Sequence, residues 1–263
     1  MLDFNRLTEV SYLYTYLKEE GCFLRKKFGQ NFLTCEHTID YIVEKLKLSE
    51  SDAVIEIGPG LGVITKGILA LTGRLVCVEI DKKLVKLLQQ NFSEYKHLEI
   101  IKADAMKVDF KVLVDGLMKL DGIKKVKIFS NLPYNIATPL IIELLKNDLP
   151  VDEMLFCVQS ELKDRFSAEP SNKNYSASSV IVQSAVDVKV LKKISKEQFF
   201  PKPKIESTLI CLQKNNLLQT LGVRNRKAFF TFVKNCFAHR RKKMYNSLIF
   251  SGGFSKESIP INN

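Results

Sequence analysis

The sequence predicts an α/β fold: a mostly parallel seven-stranded sheet covered by helices, followed by a small all-α C-terminal domain. Two observations predict it. From about residue 36 to residue 213, short apolar runs alternate with segments of helical periodicity, the pattern of successive βαβ units. Residues 223–250 carry helical periodicity alone.

Residues 1–20 read as an N-terminal extension, an amphipathic helix with Leu7, Val10, Tyr14 and Leu17 at helical spacing. Ile39, Ile42, Val43 and Leu46 mark the next helix. AVIEIG (53–58) is a short apolar strand ending in glycine, and Val63–Leu71 is a helix. RLVCVEI (74–80) is a strand, Lys82–Phe92 a helix and LEIIKAD (98–104) a strand. VKIFSNL (126–132) is the fourth strand, Pro139–Leu145 a helix, and MLFCVQ (154–159) a strand followed by a helix. DVKVLKKI (187–194) and STLICLQ (207–213) read as an antiparallel pair. NNLLQTLG (215–222) reads as a connector, and Phe229, Phe232, Val233, Cys236 and Phe237 share one side of a later helix. The expected divisions are 1–20, a sheet domain at 21–214 and a basic helical domain at 215–263. In such a sheet, ligands bind beyond the carboxyl ends of the strands, where strand order reverses.

Forty Lys and Arg stand against 29 Asp and Glu, a formal net charge of +11. Between Glu206 and Glu257 there are ten basic residues and no acid. A basic excess clustered in this way points to an anionic partner, nucleic acid before an anionic membrane surface. The six cysteines form no C-x-x-C pair and the three histidines are scattered. Neither a zinc site nor a disulfide framework is expected, and a reducing compartment is. No apolar stretch is long enough to span a bilayer. MLDFNRLTEVSYLYTYL carries early acids and no basic region ahead of an apolar core, so a signal peptide is not expected and the cytoplasm is the expected address.

VIEIGPGLG (54–62) runs a strand into a glycine turn, which lets the backbone bend sharply and approach a ligand. Starting from Gly58, the sixth position of G-x-G-x-x-G falls on Val63, so the dinucleotide fingerprint fails. There is no G-x-x-x-x-G-K-[ST] either. The pattern E-x-G-x-G-x-G resembles the first motif of the Rossmann-like class I methyltransferases, whose ligand is S-adenosylmethionine. Glu79 ends the next strand about 20 residues on, where a carboxylate can bind both ribose hydroxyls. Gly58, Gly60, Glu79 and its neighbour Ile80 are therefore candidate cofactor residues. Asp104, with Ala105 beside it, ends the third strand; the resemblance implies that it accepts a hydrogen bond from the cofactor's adenine amine.

Asn131-Leu132-Pro133-Tyr134 follows the fourth strand, within NLPYNIATPL (131–140). The exocyclic amine of adenine is a poor nucleophile because its lone pair is delocalised into the ring. Acceptors on its hydrogens draw the nitrogen toward tetrahedral geometry. The Asn131 side-chain oxygen and the Leu132 carbonyl suit that task, with Pro133 fixing the turn and Tyr134 able to stack on an extruded base. Direct displacement needs no covalent enzyme intermediate, so positioning supplies most of the rate.

With these motifs the chain resembles the ribosomal RNA adenine dimethyltransferases of the KsgA type, from about residue 24 to about residue 250. KKFGQNFL (26–33), GPGLGVIT (58–65), VEIDKKL (78–84), NLPYNIATPL, QSELKDR (159–165), YSASSVIVQ (175–183) and FFPKPKIES (199–207) carry the resemblance. It implies that Gln30, Asn31, Leu33 and Asn131 lie against S-adenosylmethionine, and that Phe199 stacks on the target adenine opposite Tyr134. It also implies that two adjacent adenines near the 3′ end of small-subunit rRNA are each dimethylated, within an immature subunit. Lys26, Lys27, Arg240, Arg241, Lys242 and Lys243 are the candidate RNA contacts, and the protein is expected to act as a monomer. The resemblance departs at Phe28, at the short C-terminus and at residues 1–20. Two rivals stand beside this reading: methylation of large-subunit rRNA or DNA adenine, and a mainly non-catalytic role in ribosome assembly or as a transcription accessory factor.

Overall fold

The computed structural model describes residues 3, 6–22, 29–133, 135–151, 153–239 and 241–251. It opens with helix α1 (Val10–Glu19), strand β1 (Phe32–Leu33) and helix α2 (Glu36–Leu46). Next come β2 (Asp52–Ile57), α3 (Val63–Leu69), β3 (Arg74–Glu79), α4 (Lys82–Asn91) and β4 (Leu98–Lys102). The chain continues through α5 (Phe110–Leu117), β5 (Lys125–Asn131), α6 (Ala137–Lys146), β6 (Glu153–Gln159) and α7 (Ser160–Phe166). It ends with α8 (Ala177–Ala185), β7 (Val186–Ile194), β8 (Phe199–Phe200), β9 (Ser207–Lys214), α9 (Leu217–Thr220), α10 (Arg226–Phe237) and α11 (Met244–Phe250).

Seven strands form one sheet in the order β4-β3-β2-β5-β6-β9-β7. The first five strands in that order pair in parallel, and β9 runs antiparallel between β6 and β7. The predicted sheet is therefore the observed one. All six residues of β2 are buried, as expected of a central strand covered on both faces. One apolar cluster lies on the α5–α6–α8 side of the sheet and a second on the α2–α3 side.

Strand order reverses at β2, whose neighbours are β3 and β5. Register then sets the site. Ile57 stands opposite both Val78 and Ser130, and Glu79 stands opposite Lys102. The turns that carry Gly58, Ile80, Asp104 and Leu132 thus leave the sheet at one edge.

Three details differ from expectation. In α1 the buried side chains are Leu13, Tyr16 and Leu17, while Val10 and Tyr14 are 46% and 61% exposed. The helix has apolar residues all round, and tertiary contact selects the face that meets Phe32, Leu61, Leu84 and Leu87. The stretch expected as a connector contains α9, anchored by buried Leu218. In α10 the buried residues are Phe230 and Val233, while Phe232 is exposed. Leu218, Phe230 and Val233 belong to the same apolar cluster as the sheet and α8, so the helical C-terminal region rests on the core that it shares with the sheet.

Candidate methyl-transfer site

A cavity of about 320 Å³ opens at the strand edge described above, within the range of small-molecule sites. Its floor is the glycine turn. Gly58, Gly60 and Gly62 all have positive φ, at 71°, 63° and 85°, which only glycine adopts without cost. A Cβ on Gly60 would stand 2.8 Å from the Phe32 ring, and one on Gly62 would stand 2.4 Å from Phe92. Gly58 has open space on that side. Packing therefore requires glycine at 60 and 62, whereas Gly58 borders empty volume.

Glu79 is only 5% exposed and lines the cavity. Its carboxylate accepts from the backbone N–H of Asp81 at 2.9 Å and of Gly60 at 3.4 Å. Burial raises its pKa, and these backbone hydrogen bonds oppose the rise. Ile80 is 42% exposed beside it on the cavity wall. Asp104 caps a short 3-10 turn by accepting from the Met106 N–H at 3.0 Å, and Asp104 and Ala105 both line the cavity.

The lead-in segment closes another side. Gln30, Asn31 and Leu33 line the cavity, and Gln30 donates to Asp81 at 3.4 Å. Gly29 packs against Pro133, whose Cβ lies 3.3 Å from where a Gly29 Cβ would be. The Asn131 amide nitrogen donates to the Asn31 carbonyl at 3.1 Å. That bond leaves its Oδ1 without a donor among the described residues. Leu132 is buried, and its N–H donates to the Cys157 carbonyl at 3.1 Å. Among the described residues no donor meets its carbonyl oxygen. Asn131 and Pro133 line the same cavity as the glycine turn.

Phe199 is placed differently from expectation. It stands opposite Leu33 on the short β1–β8 ladder and is 5% exposed within the α2-side apolar cluster. It is not part of the cavity wall, so in this arrangement it offers no face to a base. Tyr134, Lys26, Lys27 and Arg240 lie outside the described residues. Arg241, Lys242 and Lys243 are exposed in the turn between α10 and α11, with the Lys242 ammonium 5.6 Å from the centre of the Phe250 ring.

Glu56 opens the E-x-G-x-G-x-G pattern, and the sequence reading gave it no role of its own. It is 2% exposed, borders the cavity and accepts from the Thr65 hydroxyl at 2.7 Å. Burial pushes its pKa up to about 7. The signal was legible, since a carboxylate inside the fully apolar run AVIEI needs a polar reason. Phe32, Pro59, Val63 and Asn135 also line the cavity; nothing in their residue type marks them.

Among the described residues the cavity wall holds the carboxylates of Glu56, Glu79 and Asp104, and neither lysine nor arginine. Such a lining suits a ligand with cationic centres and sugar hydroxyls, and it opposes phosphates. Among the described residues no cluster of His, Cys, Asp or Glu could hold a metal.

Residues 23–262 match the model of the family described as ribosomal RNA adenine dimethylase. The chain belongs to the ribosomal RNA adenine dimethylase family. Within this dimethylase family, the ribosomal RNA small subunit methyltransferase A of Alkaliphilus oremlandii is 38% identical over 225 residues, covering 85% of this chain and 76% of that protein. The dimethylase fold is shared with a dimethyladenosine transferase from Plasmodium falciparum, with a TM-score of 0.69 at 24% identity over 84% of this chain and 76% of that one. It is shared too with the 23S rRNA methyltransferase ErmE, with a TM-score of 0.62 at 21% identity over 86% of each chain. Membership makes this dimethylase an rRNA methyltransferase that uses S-adenosylmethionine. The residues present fit that group: open space above Gly58, a buried carboxylate at Glu79 and, among the described residues, a wall with acids and no lysine or arginine. No helix among the described residues is long and apolar enough to cross a membrane.

Proposed function

We propose that this protein dimethylates the N6 amines of two adjacent adenines in the 3′-terminal hairpin loop of small-subunit rRNA, acting as a cytoplasmic monomer on the immature subunit. The observation that carries the proposal is one cavity joining two walls: the glycine turn with its carboxylates, and the Asn131–Pro133 turn with unclaimed acceptors. Gln30, Asn31, Leu33, Gly58, Gly60, Glu79, Ile80, Asp104 and Ala105 would hold S-adenosylmethionine, which supplies an electrophilic methyl when bound.

In the first transfer Asn131 Oδ1 and the Leu132 carbonyl would grip the two hydrogens of the adenine amine; in the second, one of them would hold the hydrogen that remains. This removes conjugation into the ring and turns the lone pair outward. The hydrogen bond from the Asn131 amide to the Asn31 carbonyl fixes which end of the amide meets the substrate. No general base of high pKa is required, because the amine turns acidic as it is methylated. Pro133 shapes the turn, and Tyr134 would stack on the extruded base. Loop adenines suit this site because no base pair must be broken to extrude them. The basic stretch through Arg241, Lys242 and Lys243 would contact rRNA phosphates, the assignment given to residues 215–263 as a unit.

The test is to incubate the protein with radiolabelled S-adenosylmethionine and unmethylated small subunits, then digest and identify the labelled nucleoside. Dimethyladenosine at two neighbouring positions is expected. No label on the small subunits, or label in a nucleoside other than dimethyladenosine, would refute the proposal; large-subunit rRNA and DNA, offered in parallel, should stay unlabelled.

A further inference from the structure

A second concavity lies away from the methyl-transfer cavity, between the 167–176 loop and α10. Ile142 and Phe237 form its apolar floor, and Asn174 and Ser176 lie along its wall. Phe237 is held there by an edge-on contact with Tyr175, ring centres 5.7 Å apart. Its rim carries three cations, Arg165, Lys173 and Lys234. Glu161 pairs with Arg165 at 3.1 Å from a largely exposed position. Among the described residues no carboxylate pairs with Lys173 or Lys234. Among the described residues no acidic side chain lines this concavity, the reverse of the methyl-transfer cavity.

The two are connected. A trough lined by Ala137, Thr138, Gln159, Glu161, Leu162 and Arg165 shares Arg165 with the basic groove; its acid, Glu161, is the one already paired with Arg165. Its other end is the first turn of α6, directly after Asn135 and Ile136 of the methyl-transfer cavity. A path thus leads from the acceptor turn, along the start of α6, to three cations.

From this continuity we infer that the Arg165–Lys173–Lys234 groove is a docking site for the phosphate backbone of the single-stranded RNA that flanks the target adenines. The site is distinct from the basic turn at 241–243. The inference rests on the functional reading above. Cations spaced along a groove follow a backbone, and an apolar floor with an aromatic ring accepts an unpaired base or ribose face. Fixing the flank there holds the target adenine in register with Asn131.

The test uses the full chain and unmethylated small subunits, whose rRNA is the substrate proposed above. Both lysines are exposed, so Lys173→Gln/Lys234→Gln should fold and bind S-adenosylmethionine as the wild type does, which calorimetry checks. Each phosphate contact on a single strand contributes about 0.7 to the slope of log affinity against log salt. The double variant should therefore bind more weakly, with a slope shallower by about 1.4, and its KM for the subunits should rise with little change in kcat. An unchanged slope and KM in the variant, beside a wild type that methylates these subunits, overturns the groove alone. A wild type that binds cofactor but neither binds nor methylates the subunits overturns the functional reading, and this inference with it.

Discussion

Asn131 and Asn31 stand one hundred residues apart in sequence and are joined by a hydrogen bond of 3.1 Å between side-chain amide and backbone carbonyl. The bond ties the acceptor turn after β5 to the lead-in segment before α2, so one asparagine both closes the cavity and faces it. Asn131→Ala should remove an acceptor while leaving the glycine turn intact. Methyl transfer should fall by about two orders of magnitude, the scale on which a small misplacement of reacting groups costs rate. S-adenosylmethionine affinity, read by calorimetry, should change far less. Full activity in this variant would remove Asn131 from the mechanism.

Gly58 and Glu79 probe the cofactor half. Gly58→Ala meets no neighbour, so its folding cost is that of a left-handed backbone, about 1–2 kcal/mol. The added methyl occupies ligand space, and cofactor binding should weaken beyond the loss of stability. Glu79→Ala should also weaken cofactor binding, and it leaves the Gly60 and Asp81 N–H groups unmatched, at about 1–3 kcal/mol per buried donor. Thermal shifts with and without S-adenosylmethionine separate the two effects.

Glu56 predicts a pH dependence of stability. Its carboxyl pKa is raised in the folded state from the usual 4.5 to about 7, so the folded protein holds a proton that the unfolded chain releases. Its contribution is therefore fully present below about pH 4.5 and is lost as pH rises through about 7. The span sets the size at roughly 3 kcal/mol. Glu56→Gln keeps an acceptor for Thr65 and cannot ionise. It should flatten the pH profile of the melting temperature between pH 5 and pH 8 relative to wild type, with its gain largest at the alkaline end. Parallel profiles would show that Glu56 does not titrate in this range.

The N-terminal helix supports the site from behind. Leu13 is fully buried against a cluster that includes Phe32 and Leu61, and Phe32 lies directly under Gly60. Leu13→Ala should cost about 2–5 kcal/mol and loosen S-adenosylmethionine binding through the glycine turn. An unchanged cofactor dissociation constant at a temperature where the variant is folded would limit α1 to a role in stability.

The strands were legible because their apolar runs are continuous and end in glycine, acid or asparagine, each with a reason to stand at a strand terminus. What escaped depended on distant partners. The β1–β8 ladder needs Thr34 to meet Gln198, joined by N–H to O at 2.8 Å, a pairing that neither segment announces. That same ladder turns Phe199 inward, against its expected place beside a base. Helix α8 escaped because ASSVIVQSA mixes serines with β-branched residues, and only the reciprocal Ser176–Ser179 cap marks its start. For α1, spacing identified the helix and could not choose between two apolar faces.

Strand β9 is the last strand in the chain, yet it lies inside the sheet, between β6 and β7. During synthesis β6 therefore remains a bare rim until residue 214 has left the ribosome, because no earlier segment can cover it in this order. Unpaired rims invite pairing with other chains. A nascent chain stalled before β9 carries a nearly complete cofactor pocket beside an adhesive border, so truncated products should aggregate even where their glycine turn is correctly formed.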